Sequence, residues 1–446
     1  MSYKKDRNTN TEENPEIKDQ KDTAGQEGKE QDETGQEEKF SFLQETIKPR
    51  PLSREKILKE LARIAVYGVI LGIFACLGFF ALRPFAQSWF QGDPETVTIP
   101  EDEEPEEEQT EDQHSEEPVE QVLDIQSYEE LMESMDAAAQ EAQKGTATVS
   151  RTSAQEDWAA EATGIKESVA GVITADNGQE LLVLAEDSIC AEAKSWTVTF
   201  SDGSEHEASL KKRDRNSGFA VFSVPRSDIS DATWNAIKVA VLGNSNLAKQ
   251  GDPVIALGNT FGYPDGVGYG VISSNDYRET FYDSECDVLA TDISSSADGT
   301  GILFNLDGEV IGMISPSIWE DKEDGTANAY AVSDLKSVIE LLANGESVPY
   351  IGVYGTAVTG EIQKEQGLPS GVYVIDVDPD SPAMAAGIQS GDIIWQVSGE
   401  SVSSMVTYHK AVLELQTGEQ VSLKGKRLGS DGYVDVDFTV TVGSRE

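Results

Sequence analysis

From Ala147 to about Ile314 the chain is a succession of short apolar runs separated by turn residues. VAGVIT, ELLVLA, WTVTFSDGSEHEASL, GFAVFSV, DPVIALG, GYGVISS, DVLATDI and GILFNLDGEVIGMIS follow one another at close spacing. Runs of this length and composition read as strands. SDG and LDG between apolar runs signal tight hairpins. Many short strands in series point to an all-β barrel or sandwich.

Helical spacing occurs on both sides of this region. Tyr128, Leu131, Met132, Met135, Ala139 and Ala142 recur at 3.6-residue spacing. Ser127 with Glu130 three residues on reads as a capping box, and Gly145 as the stop. The apolar face of this helix is expected to dock on the strands. Residues 333–344 carry DLKSVIELL and read as a second helix. Residues 350–442 form a separate unit of short strands, with helices expected near 381–386 and 407–415.

The segment ahead of the strands has a different character. Residues 64–82, IAVYGVILGIFACLGFFAL, contain no charged side chain. A helix of that length spans roughly 28 Å, close to the ~30 Å hydrocarbon core of a bilayer. Lys48, Arg50, Arg54, Lys56, Lys59 and Arg63 precede the run, and only Arg83 follows it closely. Positive charge collects on the cytoplasmic side, which puts the N-terminus inside and everything after Leu82 outside. The expectation is a single-pass cell-membrane protein touching the lipid bilayer through one helix. Residues 1–63 read as a disordered cytoplasmic tail with a basic juxtamembrane end, because a polar segment cannot bury enough apolar surface to offset its ordering entropy. Residues 83–120 read as an extended acidic linker, with 14 carboxylates and no Lys or Arg from Asp93 to Glu120.

Composition narrows the function. With 34 Lys and Arg against 81 Asp and Glu, the net charge is −47, which excludes a nucleic-acid partner read through phosphates. Three cysteines supply neither a disulfide framework nor zinc-ligand spacing. A Cys190–Cys286 bridge stays open. No metal and no cofactor is expected.

The strand and helix motifs carry a resemblance. TVTFSDGSEHEASLKKRD, GFAVFSV, PVIALGNTFG, GYGVISS, NLDGEVIGMI and AYAVSDLKSVIELL resemble the HtrA (DegP-like) family, and so do PYIGVYG, GLPSGVYVIDVDPDSPAMAAGIQSGDIIWQVSGESV and LQTGEQVSL. The resemblance covers residues 147–443. It implies a mainly β fold: a chymotrypsin-like double β-barrel over residues 121–345, with its leading helix, then a PDZ domain (α+β) over 349–443.

Serine-protease chemistry needs a hydroxyl nucleophile, a His to take its proton, and a carboxylate behind the His. The family nucleophile lies in a GNSGGPL loop. Counting back from Asn305 places it at Gly299, or at Thr300 with a slip of one. The family His falls on Ser188, or on Asp187 with a slip. The family Asp falls on Gly218. Of the three His in the chain, His114 lies in the acidic linker, His206 on a strand and His409 in the PDZ helix. The resemblance therefore implies a barrel that folds around an inert cleft, with no catalytic residue left.

The PDZ half keeps its motif. A PDZ domain adds a peptide C-terminus as a strand and holds its carboxylate in a backbone nest. Tyr350, Ile351, Gly352 and Val353 match the carboxylate-binding loop, and Tyr408 and Val412 at i and i+4 would face the groove. The implied partners are peptide or protein C-termini. Family members assemble as trimers, so a homo-trimer or a hetero-oligomer with an active relative both stay open. The resulting expectation is a membrane-anchored pseudoprotease in envelope protein quality control or regulation. The alternative is an active serine-type endopeptidase with a relocated nucleophile or base.

Overall fold

The computed structural model describes residues 59, 63, 65–70, 73–74, 94–102, 125–153, 167–318 and 325–446. The tail read over 1–63 and the membrane span read over 64–82 lie largely outside the described residues. Residues 65–70 and 73–74 are helical. Among the described residues no helix is long and apolar enough to cross a membrane.

Two closed six-stranded barrels and one open sheet make up the rest. The first barrel contains β1 (Thr146–Ser153), β2 (Ser168–Asp176), β3 (Glu180–Glu186), β4 (Ala193–Phe200), β5 (Glu205–Asp214) and β6 (Phe219–Pro225), in spatial order β1-β2-β3-β6-β5-β4. The second contains β7 (Pro253–Gly258), β8 (Gly266–Phe281), β9 (Ser284–Ser294), β10 (Gly301–Phe304), β11 (Val310–Ile314) and β12 (Thr326–Ala331), in order β10-β11-β12-β9-β8-β7. The expected chymotrypsin-like double barrel is therefore present.

Strand period explains why so many of these strands are apolar throughout. Along β3, Leu181, Val183 and Ala185 point into the first barrel, while Leu182 and Leu184 join the cluster between the barrels. In β6, Phe222 and Val224 fill the barrel, and Phe219 and Val221 face the other way. β7 repeats the pattern in the second barrel, with Val254 and Ala256 inside and Ile255 and Leu257 between. A strand buried on both faces needs apolar residues at every position rather than alternate ones.

Helix α1 (Ile125–Gln143) leads into β1, α2 (Asp231–Ala236) lies between the barrels in sequence, and α3 (Val332–Ala343) follows the second barrel. The structure corrects the reading of α1. It begins at Ile125, so Ser127 lies inside the helix rather than at its cap. Ala139 and Ala142 are buried, but Tyr128 and Leu131 are exposed. Only the last turns dock. Helix α3 buries Val332, Leu335, Lys336, Val338, Ile339, Leu342 and Ala343 at helical spacing.

The PDZ sheet runs β13 (Val353–Ala357), β14 (Val372–Val377), β15 (Ile393–Val397), β17 (Gln420–Gly429) and β18 (Gly432–Thr441), with β16 (Glu400–Ser401) paired to β15. Helices α4 (Gly360–Gln366), α5 (Pro382–Ala385) and α6 (Met405–Leu413) belong to the same unit, and α6 buries Met405, Tyr408, Ala411 and Val412. The two expected helices appear as α5, capped by Ser381, and α6, capped by Ser404 in a capping box with Thr407. Strand β13 is an edge strand, its only ladder being with β14.

Residues 94–102 lie within the stretch read as linker, yet they are docked. Val97 N donates to Asn344 Oδ1 at 2.9 Å, and Asn344 Nδ2 returns a bond to Val97 O at 2.8 Å. Val97 and Ile99 pack on the cluster between the barrels. Asp102 accepts from Lys336 Nζ at 2.7 Å and from Ser333 Oγ at 2.6 Å. Lys336 is 4% exposed, so Asp102 supplies the charge that makes its burial tolerable.

Candidate functional site: the cleft between the barrels and a filled backbone nest

The three positions matched to the triad lie where β3, β6 and β10 begin or end. Asp187 opens a short 3₁₀ turn, Asp187–Cys190, at the end of β3. Its N–H donates to Gly218 O at 2.8 Å, which sets it beside the entry to β6. Gly218 has φ +78°, a backbone that an L side chain adopts only under strain. Ser188 is exposed and donates from Oγ to Glu186 Oε2 at 2.8 Å.

Gly299 sits in a loop folded tightly over Thr260. Ser296 N donates to Thr260 O at 2.8 Å, and the hydroxyls of Ser295 and Ser296 reach the same oxygen at 3.3 and 3.2 Å. A Cβ at Gly299 would lie 2.3 Å from Ser295 Oγ and 2.5 Å from Thr260 O. A side chain here requires the loop to move. Thr300, the position reached by a slip of one residue, is 3% exposed, and its Oγ1 accepts from Ala170 N at 2.9 Å. That hydroxyl ties the second barrel to β2 of the first. Thr300→Val is expected to leave a buried N–H unpaired and to cost about 1–3 kcal/mol in chemical denaturation; an unchanged midpoint would show that the bond carries no weight.

The histidines have other partners. His206 Nε2 lies 3.2 Å from Ser204 Oγ, and its ring packs beside Phe200. His409 Nδ1 donates to Asp283 O at 3.1 Å, and burial pushes its pKa down to about 4. His114 is outside the described residues. Lys211 and Lys212 are bridged to Glu180 and Glu446. Cys190 and Cys286 are free thiols, so the bridge left open by the sequence is not formed. Burial pushes both thiols up.

One cluster in the cleft escaped the sequence reading. Glu186 accepts from Ser315 Oγ as well as from Ser188 Oγ, and Ser315 continues through Ser317 to Tyr330 Oη at 2.8 and 3.1 Å. Burial pushes the Glu186 carboxyl up, against the pull of its two hydroxyl donors. LAEDS gave no sign of this, because Ser315 is 129 residues away in sequence.

The loop matched to carboxylate binding, residues 350–353, lies in the PDZ domain. Gly352 has φ +95° and turns the backbone so that three consecutive N–H groups converge. They converge on Asp283, at the tip of the β8–β9 hairpin. Ile351 N and Gly352 N donate to Oδ2 at 2.7 and 2.6 Å, and Val353 N donates to Oδ1 at 2.9 Å. Tyr408 Oη adds a fourth bond to Oδ1 at 2.9 Å. Tyr408 and Val412 are both fully buried. The nest expected to stand open for a peptide is thus filled from within, and Asp283 is a site residue the sequence reading missed. YDSE reads simply as a turn; nothing in it points 70 residues ahead to Val353.

The comparisons with known proteins bear on the whole. Residues 169–313 match the trypsin-like peptidase domain family and residues 349–441 match the PDZ domain family. A probable periplasmic serine endoprotease, DegP-like, of Halomonas elongata is 30% identical over 279 residues, covering 61% of this chain and 56% of the relative. The serine protease Do-like HtrB of Bacillus subtilis is 27% identical over 290 residues, covering 60% of this chain and 61% of the relative. The pairing of a trypsin-like peptidase domain with a PDZ domain, and the DegP-like and Do-like relatives, support an HtrA/DegP-like family. Among solved structures, an HtrA-type protease AlgW with a decapeptide aligns with a TM-score of 0.49 at 22% identity, covering 70% of this chain and 99% of its own. The chain spans about half the length of the curated relatives it matches.

Proposed function

We propose that this HtrA/DegP-like chain is a membrane-anchored, extracytoplasmic pseudoprotease. It holds protein C-termini or unfolded segments through its PDZ domain and takes part in envelope protein quality control or its regulation, without cutting peptide bonds. The observation that carries the reading is Gly299. At the position matched to the nucleophile there is no side chain, and the volume one would need is occupied by Ser295 Oγ and Thr260 O. Gly218 removes the carboxylate position, and Asp187 and Ser188 offer no imidazole. The relatives' names describe periplasmic or Do-like serine proteases, in keeping with a location outside the cytoplasm.

Glu186 favours a second reading. A partly buried carboxyl with raised pKa, hydrogen-bonded to the hydroxyls of Ser188 and Ser315, is the arrangement a relocated base and nucleophile would need.

Labelled casein separates the two. The full chain in detergent is expected to leave casein intact, with release no faster than that of a Glu186→Gln variant. Cleavage that disappears in Glu186→Gln or Ser188→Ala would establish the second reading and sink the first.

A further inference from the structure

The β8–β9 hairpin does more than touch the PDZ domain. Its tip enters between edge strand β13 and helix α6, the place where a peptide would be added. Asp283 N donates to Val353 O at 2.7 Å, while the Asp283 carboxylate takes the three N–H groups of the nest and the hydroxyl of Tyr408. A backbone N–H given to the edge strand, with a carboxylate delivered to the nest beside it, is how a chain end binds by strand addition. The aspartate reproduces it with a carboxylate one methylene further from the backbone than that of a true C-terminus. The turn is shaped for this: Asp283 has φ +61°, a conformation that Asp tolerates better than most residues.

The tip is held from both sides. Asn216 Nδ2, in the loop between β5 and β6, donates to Tyr282 O at 2.7 Å. The Tyr282 ring stands edge-on to Tyr350 and Tyr354, with centroids 6.4 and 6.0 Å away, and the Arg445 guanidinium covers the rings of Tyr282 and Tyr350. Asp283 is 2% exposed, so its charge stays buried only while all four donors face it.

We propose that the Tyr282–Asp283 turn is a built-in pseudo-C-terminus that keeps the PDZ groove closed. An incoming chain end must take the nest from Asp283, and in doing so release the PDZ domain from the second barrel. The displacement part of this rests on the peptide-binding reading above; the closure itself does not.

Two measurements on the full chain in detergent test it. The first is amide hydrogen exchange at residues 351–353 and 279–285. The second is fluorescence polarisation with a pool of heptapeptides randomised at the last four positions, as free acids and as C-terminal amides. Asp283→Asn keeps the turn's backbone preference and removes the charge. It is expected to speed exchange in both segments and to tighten free-acid binding about tenfold or more, with the amides unaffected. Asn216→Ala leaves the nest untouched, loosens the turn from the barrel side, and should move both readouts the same way by about threefold. Faster exchange with no peptide bound by any form supports the internal closure and removes the peptide-binding reading. Equal free-acid binding by all three proteins overturns the proposal and leaves that reading in place. Unchanged exchange in both variants overturns it as well.

Discussion

Gly352→Ala is expected to destabilise the PDZ unit by about 2–4 kcal/mol, a large share of what holds a domain of this size. Two causes add. At φ +95° any Cβ is strained, and this one would lie 2.4 Å from Ser381 Cβ, a residue that caps α5 and is itself 3% exposed. Relaxing the backbone would turn the Gly352 N–H away from Asp283 and break the nest. Denaturant titration read by exchange protection at Ile351–Val353 measures it. Gly360→Ala is the control: Gly360 has open space around its missing Cβ and starts a helix, so Ala there should be neutral or slightly stabilising. If Gly352→Ala unfolds with Gly360→Ala, the nest is not a packed element.

The second large effect is a pair of opposed pH dependences. Burial, helped by the charge of Asp287, raises the Asp334 carboxyl from its ordinary 3.8 to about 6, against the pull of the Asp287 N–H and of Arg278. The folded state therefore holds this proton more tightly than the unfolded state does. Its contribution is fully present below pH ~4 and is lost as pH rises to about 6, a change of about 3 kcal/mol. Burial lowers His409 from 6.5 to about 4, so the unfolded chain takes that proton first. Stability from His409 is present above pH 6.5 and falls by about 3 kcal/mol as pH drops to about 4.

Both groups line one cavity with Arg278, Glu285, Asp287, Lys410 and Glu414, and over the shared window the two slopes largely cancel. Asp334→Asn is then expected to be about 3 kcal/mol more stable than the parent at pH 7.5, with the gain vanishing near pH 4. His409→Gln should match the parent at pH 7.5 and surpass it increasingly toward pH 4. The other buried carboxyls drop out, because each variant is compared with the parent at the same pH. Difference curves that stay flat with pH would remove both assignments.

The barrels were legible because both faces of β3, β6, β7 and β10 are buried, and such strands announce themselves as unbroken apolar runs. The PDZ helix α6, expected near 407–415, forms two residues earlier at Met405–Leu413, behind the Ser404 cap that the sequence reading did not use. Three features were not legible. Helix α4, GEIQKEQ, has no apolar face, and only its Thr359 cap and the Gly367 stop at φ +71° mark it. Residues 94–102 were hidden inside a carboxylate-rich stretch, with Val97 and Ile99 the only aliphatic side chains among those nine residues. Asp283 stayed hidden because its partners lie 68–70 residues downstream and are backbone N–H groups, which carry no residue identity at all. In the cleft, what the sequence offered was substitution at three positions. Only coordinates reveal that the space over Gly299 has been taken.

That filled space has a consequence for any redesign of the loop. A hydroxyl placed at position 299 would enter volume already held by Ser295 and Thr260. The loop over residues 295–299 would have to be rebuilt before a side chain there could face the cleft.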